Sequence, residues 1–136
     1  MQVFKRKSYN KLLEWKQRSN GRSAILIEGA RRVGKSTLVT EFAKQEYKSC
    51  IVIDFNNVTN EVLTWFDGLV DLDYFFLRLQ TYFKVSLHVR QSVIVFDEVQ
   101  KCPKARQAIK YLVADGRYDY IETGSLISIH QNTKDI

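Results

Sequence analysis

Residues 29–36 read GARRVGKS and match the pattern G-x-x-x-x-G-K-[ST] at every fixed position. Each residue type at that spacing suits one task, holding a polyphosphate. Gly29 and Gly34 permit backbone angles and a close approach that a Cβ would block. The intervening Ala30, Arg31, Arg32 and Val33 can then turn their amide groups inward as an anion nest. The helix expected to follow adds its positive N-terminal end. Lys35 supplies an ammonium for the β- and γ-phosphates, Ser36 a hydroxyl for Mg²⁺, and Thr37 a hydroxyl within reach of the α-phosphate. The side chains of Arg31 and Arg32 either add positive field at the mouth of the loop or face water, and the residues alone leave both open.

A second constellation lies downstream, where the apolar run Ser92–Phe96 delivers Asp97 and Glu98. Ligands of an open parallel sheet sit at the carboxyl ends of its strands. Two carboxylates there can divide the work. Asp97 would hold Mg²⁺, usually through water, and Glu98 would orient or deprotonate an attacking water. The Glu points to hydrolysis rather than transfer to a small acceptor. An acidic pair after a strand carries little meaning alone and gains it from the upstream loop.

Both constellations need particular elements around them. Ala24–Glu28 (AILIE) and Cys50–Phe55 (CIVIDF) are short apolar runs that fit buried parallel strands, as does Ser92–Phe96, and Tyr118–Thr123 (YDYIET) is a fourth. The phosphate loop therefore follows a strand and opens a helix over 35–47, the setting its chemistry requires. Tyr9, Leu12, Leu13 and Lys16 share a face of a helix over 8–19, with Ser8 as its cap and Asn20-Gly21 as its stop. Leu72, Phe75, Phe76, Leu79 and Phe83 recur at helical spacing behind Asp71 or Asp73 as cap, and read as a core-facing stripe rather than a base-stacking surface. Pro103 opens a further helix with Ala105, Ala108, Ile109 and Leu112 on its apolar face, ended by Asp115-Gly116. Residues 56–70 read as loop with a short helix near Glu61–Phe66. A helix followed by β-α-β-α-β-α-β implies an α/β domain of three layers, a mostly parallel sheet with helices on both faces.

Composition sets the remaining bounds. The 136 residues suffice for one domain with its own core, and 45% are hydrophobic. No apolar run exceeds four residues, against the roughly 20 needed for a membrane-spanning helix, so the chain reads as soluble and cytoplasmic. Cys50 and Cys102 lack the spacing of a zinc site, lie far from His88 and His130, and read as ordinary reduced thiols. Residues 1–22 carry seven Lys/Arg and one Glu, so the whole net charge of +6 belongs to that segment. It serves either as the solvated face of a helix or as a surface for nucleic acid.

The stretches YNKLLEWKQRSNGRSAILIEGARRVGKSTLV, IVIDFNN, VIVFDEVQ and YDYIETGSLIS together resemble the AAA-superfamily ATPases, in particular a group of bacterial and archaeal members. The resemblance covers nearly the whole chain. It implies an ATP- and Mg²⁺-binding domain that hydrolyses ATP to ADP and phosphate in its full-length or assembled form, with the Walker A roles on Lys35 and Ser36 and the Walker B roles on Asp97 and Glu98. It also implies the strand order 5-1-4-3-2 and a polar γ-phosphate sensor after the fourth strand, for which Ser125 is the first choice and Thr123 the second. Tyr9 is a candidate neighbour of the adenine, and Arg106 and Arg117 are guesses for an arginine finger serving a self-associated form. On this reading residues 1–136 form one domain, with the core at 23–125 and an incomplete tail at 126–136; a fifth strand and helical lid would lie beyond Ile136. Three rival readings share the loop. A small-molecule kinase would need an acceptor pocket. A GTPase would need N-K-x-D, which Asn132-Thr133-Lys134-Asp135 only superficially matches. A nucleotide-dependent switch would bind without turnover.

Overall fold

The computed structural model describes residues 2–29 and 34–125. Ala30 to Val33 of the phosphate loop and the tail from Leu126, including the Asn132–Asp135 stretch, lie outside the described residues. The chain runs α1 (Gln2–Ser19), β1 (Ile25–Glu28), α2 (Lys35–Glu46), β2 (Ser49–Asp54), α3 (Asn60–Thr64), α4 (Leu72–Phe83), β3 (Ser92–Asp97), α5 (Pro103–Asp115) and β4 (Asp119–Gly124). A single 3₁₀ turn, Val99–Lys101, joins β3 to α5.

The four strands form one all-parallel sheet in the order β1-β4-β3-β2. That is the order the family resemblance implies for strands one to four. β3 lies inside the sheet between β4 and β2, and its first five residues are all buried, which is why it reads as a continuous apolar run rather than an alternating one. Alternation still operates across the two faces. Val93 and Val95 pack with Leu12 of α1 and Leu38, Val39, Phe42 and Ala43 of α2. Ile94 and Phe96 pack with Val62 of α3, Phe75, Phe76 and Leu79 of α4, and Ala105 and Leu112 of α5. Two cores, one on each face, make the three layers and clamp the sheet rigidly beneath its C-terminal ends.

The aromatic stripe of α4 faces the core as its period requires. Phe76 meets Tyr118 edge-on at 4.8 Å between ring centroids, and Phe75 meets Phe66 at 5.3 Å. Asp71 is its cap, accepting from the Tyr74 amide at 3.1 Å. α5 has Pro103 in its first turn and ends at Gly116, whose φ of 83° suits glycine. The one clear boundary error is at the start of α1. The helix begins at Gln2, so Ser8 sits inside it and caps nothing. No Gly or Pro interrupts residues 2–7, and nothing there stops the helix from running on. Its end was better marked, with Asn20 and Gly21 both at positive φ. Arg6, Lys7, Lys11 and Arg18 of α1 are all solvent-exposed. No helix among the described residues is long and apolar enough to cross a membrane.

Candidate functional site

The chemistry-bearing residues meet at the carboxyl edge of the sheet, where β3 ends at Asp97 and β4 at Gly124. Parallel pairing sets Phe96 opposite Glu122 and Ile27 opposite Thr123. One step further along, Asp97 comes beside Thr123, and the N-terminus of α2 arrives over the same row. Gly34 turns the chain into α2 at φ 76°, ψ 24°, a left-handed geometry that a Cβ would resist, and its carbonyl accepts from the Leu38 amide at 3.0 Å. Gly34 at the N-cap position has no side chain to cap the first turn of α2, and leading amides of a helix can serve an anion.

Lys35 is the first residue of α2 and only 1% exposed. A buried ammonium without a partner is penalised by several kcal/mol, roughly its effective desolvation cost. Glu98, itself buried, supplies the counter-charge: Lys35 Nζ donates to Glu98 Oε2 at 3.0 Å. Beside that pair, Ser36 Oγ donates to Asp97 Oδ1 at 2.8 Å. Thr123 Oγ1 donates to the same Asp97 oxygen at 2.5 Å and accepts from the Glu98 amide at 3.0 Å. The second oxygen of Glu98, Oε1, accepts from Gln100 Nε2 at 2.8 Å. Glu98 adopts φ 58°, ψ 51°, a left-handed conformation that costs a side-chain-bearing residue about 1–2 kcal/mol. The bond from its amide to Thr123 helps to hold it there.

Among the described residues this arrangement offers the Lys35 ammonium, the N-terminus of α2 and the oxygens of Ser36, Asp97, Glu98 and Thr123. Ser36 and Asp97 bring a hydroxyl and a carboxylate together, joined by a 2.8 Å hydrogen bond. Such hard oxygen donors suit Mg²⁺ rather than a softer metal. Among the described residues there is no cluster of three or more His, Cys, Asp and Glu side chains that would hold a metal unaided, so such a cation would complete its shell from phosphate oxygens and water.

Of the residues singled out from sequence, the structure brings Lys35, Ser36, Asp97, Glu98 and Thr123 into one network. Thr37 is exposed in the first turn of α2, and Ser125 lies one residue past β4, half-buried. Thr123, the second choice for the sensor, is the one bonded to the acidic pair, and its hydroxyl hydrogen is directed at Asp97. Tyr9 belongs elsewhere. Its hydroxyl donates to Gln45 and Glu46 at the far end of α2, and its ring packs edge-on against Phe42. Ten residues of helix, roughly 15 Å, separate that point from Lys35, so Tyr9 is part of the α1–α2 packing. The two arginine-finger guesses are engaged within the chain. Arg117 pairs with Asp115 and Asp73, and Arg106 lies 3.9 Å from Glu122. Gln100 joins the network through Glu98, and its trace in the sequence is a polar residue two positions after Asp-Glu. A separate cavity of about 750 Å³, bordered by Ala24, Arg106, Ile109 and Glu122, opens beside α5; among the described residues, neither the phosphate loop nor the acidic pair lines it. There burial pushes the Glu122 carboxyl up to about 7, with Arg106 pulling the other way.

An all-parallel sheet flanked by helices, with a glycine-turned loop feeding Lys-Ser into a helix opposite an acidic pair, defines a P-loop NTPase-like domain. The family comparison agrees: the AAA domain matches residues 21–135, and the chain belongs to that family. It is thus a nucleotide-binding, ATPase-like domain. No curated protein matches the chain.

Proposed function

We propose that the chain binds Mg-ATP at the Lys35–Glu98 network and hydrolyses it to ADP and phosphate. The observation that carries this reading is the buried 3.0 Å ion pair between Lys35 and Glu98, lying beside the 2.8 Å Ser36–Asp97 contact at the carboxyl edge of the sheet. The β- and γ-phosphate oxygens take the place of Glu98 Oε2 as partners of Lys35, with the loop amides and the start of α2 around them. Ser36 and Asp97 are the residues that would hold Mg²⁺, which supplies neutralisation of charge on the phosphate oxygens. Released from Lys35, Glu98 orients a water and accepts its proton as the water oxygen bonds to the γ-phosphorus. The bond to the β–γ bridging oxygen breaks, and ADP leaves with that electron pair. Thr123 keeps Asp97 and Glu98 in fixed relation by bonding to both.

Free phosphate released from Mg-ATP by the purified chain, and none from Mg-GTP, is the expected outcome; a phosphorylated small molecule would transfer the case to a kinase. A second reading has its own support. Lys35 and Glu98 are paired, so a phosphate that claims Lys35 rearranges the acidic pair, a change a nucleotide-responsive switch can use without turnover. Tight Mg-ATP binding with no phosphate release would favour that switch.

A further inference from the structure

We infer that Gln100 is a positioning residue, holding the Glu98 carboxylate in the orientation from which it acts on water. The inference rests on the hydrolytic reading above. It begins from three contacts on one residue. The Glu98 amide is fixed by Thr123, Oε2 by Lys35 and Oε1 by Gln100. They differ in what a nucleotide does to them. Lys35 is the group the phosphates claim, so the Oε2 contact is exchanged when the site fills. The Gln100 contact lies on the other oxygen, supplied by a side chain of the same 3₁₀ turn, and arriving phosphate has no reason to break it.

The chemistry of the donor matters as much as its place. A carboxylate attached through two methylenes has free torsions, and ordering it has an entropic cost. An amide N–H fixes one oxygen while leaving the negative charge, and hence the basicity, on the group. A Lys or Arg at the same place would hold the carboxylate equally well and make it a poorer base. Gln100 is itself 8% exposed and stands in the turn Val99–Lys101, immediately after the left-handed Glu98. That backbone reversal lets a side chain two residues on reach back to Oε1. The sequence Asp-Glu-Val-Gln therefore carries its base and the group that aims it in four consecutive residues.

The test uses the 136-residue chain with Q100M and Q100E, measuring Mg-ATP affinity by calorimetry, phosphate release, and the thermal midpoint. Q100M keeps the volume and loses the donor. The expected result is a fall in kcat of about tenfold, less than the 10²–10⁴-fold of losing the base itself, with Kd within about twofold and no matching loss of stability. Q100E adds a distinctive signature. Its introduced carboxyl, crowded against Glu98, keeps a proton more readily and in that form donates as the amide does. Its kcat should recover toward the wild-type value as pH is lowered, relative to Q100M at the same pH. A purely structural role would instead lower affinity, stability and turnover together, without recovery in acid. The inference is overturned if wild type turns ATP over and Q100M matches it in kcat, or if the Q100M loss appears in Kd and thermal midpoint. If wild type binds Mg-ATP yet releases no phosphate, the hydrolytic reading itself fails and takes this one with it.

Discussion

Replacing Glu98 by Gln separates the two jobs assigned to that residue, because one of them opposes binding and the other serves turnover. Lys35 donates to Glu98 Oε2 at 3.0 Å. A nucleotide must break that contact before its phosphates can reach the ammonium. Gln at 98 would still accept from the Lys35 ammonium but would lack the opposite charge, worth about 1.4 kcal/mol at the low end, the equivalent of one pKa unit. The free-energy cost of exchange falls by that amount, which is about tenfold in affinity. E98Q should bind ATP about tenfold more tightly than wild type. Its turnover should fall by about 10²–10⁴-fold, the range for loss of a general base. The variant should also melt at lower temperature than wild type without nucleotide, because a buried ammonium has lost its counter-charge, and should gain more from added nucleotide. Isothermal titration, phosphate release and thermal melts on the same preparation read all three. Unchanged or weaker affinity would refute the idea that Glu98 competes with phosphate for Lys35. Preserved turnover would remove it from the chemistry altogether.

Two further outcomes follow from the surroundings of the pair. T123V keeps the shape of residue 123 but leaves the buried Glu98 amide without its acceptor, so unfolding in urea should show a loss of about 1–3 kcal/mol; a change below about 0.5 kcal/mol would mean the bridge is unimportant. Glu122 ionises near 7 when folded, because burial disfavours its charged form, and near its ordinary 4.5 when unfolded. Between those values the unfolded state binds fewer protons, so stability falls as pH rises through the window, by at most about 3 kcal/mol. E122Q should therefore gain stability relative to wild type between pH 5 and pH 8; an equal difference at the two pH values would contradict this.

The parts of the fold that sequence revealed are those written in local residue types. Ser92–Phe96 is apolar throughout because β3 is buried on both faces, and Asn20-Gly21 marks a helix end because both residues tolerate positive φ. Lys35, Ser36, Asp97 and Glu98 stand out because their pattern is local in the chain, and the structure sets them side by side. What escaped depends on relations between distant segments. Whether Thr123 or Ser125 meets the acidic pair is decided by the pairing of β3 with β4, which fixes Asp97 beside Thr123. The place of Tyr9 is decided by how α1 lies on α2, which sets its ring on Phe42. The role of Gln100 needed the left-handed turn at Glu98, a conformation unusual for Glu and therefore unannounced by it.

On the proposed function Lys35 is held in reserve for a nucleotide phosphate, and calorimetric titration of Mg-ATP into wild type and K35A reads that role. Wild type should bind, and K35A, confirmed as folded by circular dichroism, should lose about hundredfold in affinity, the equivalent of about 3 kcal/mol of charge-assisted contact. Equal dissociation constants for the two proteins would contradict the account.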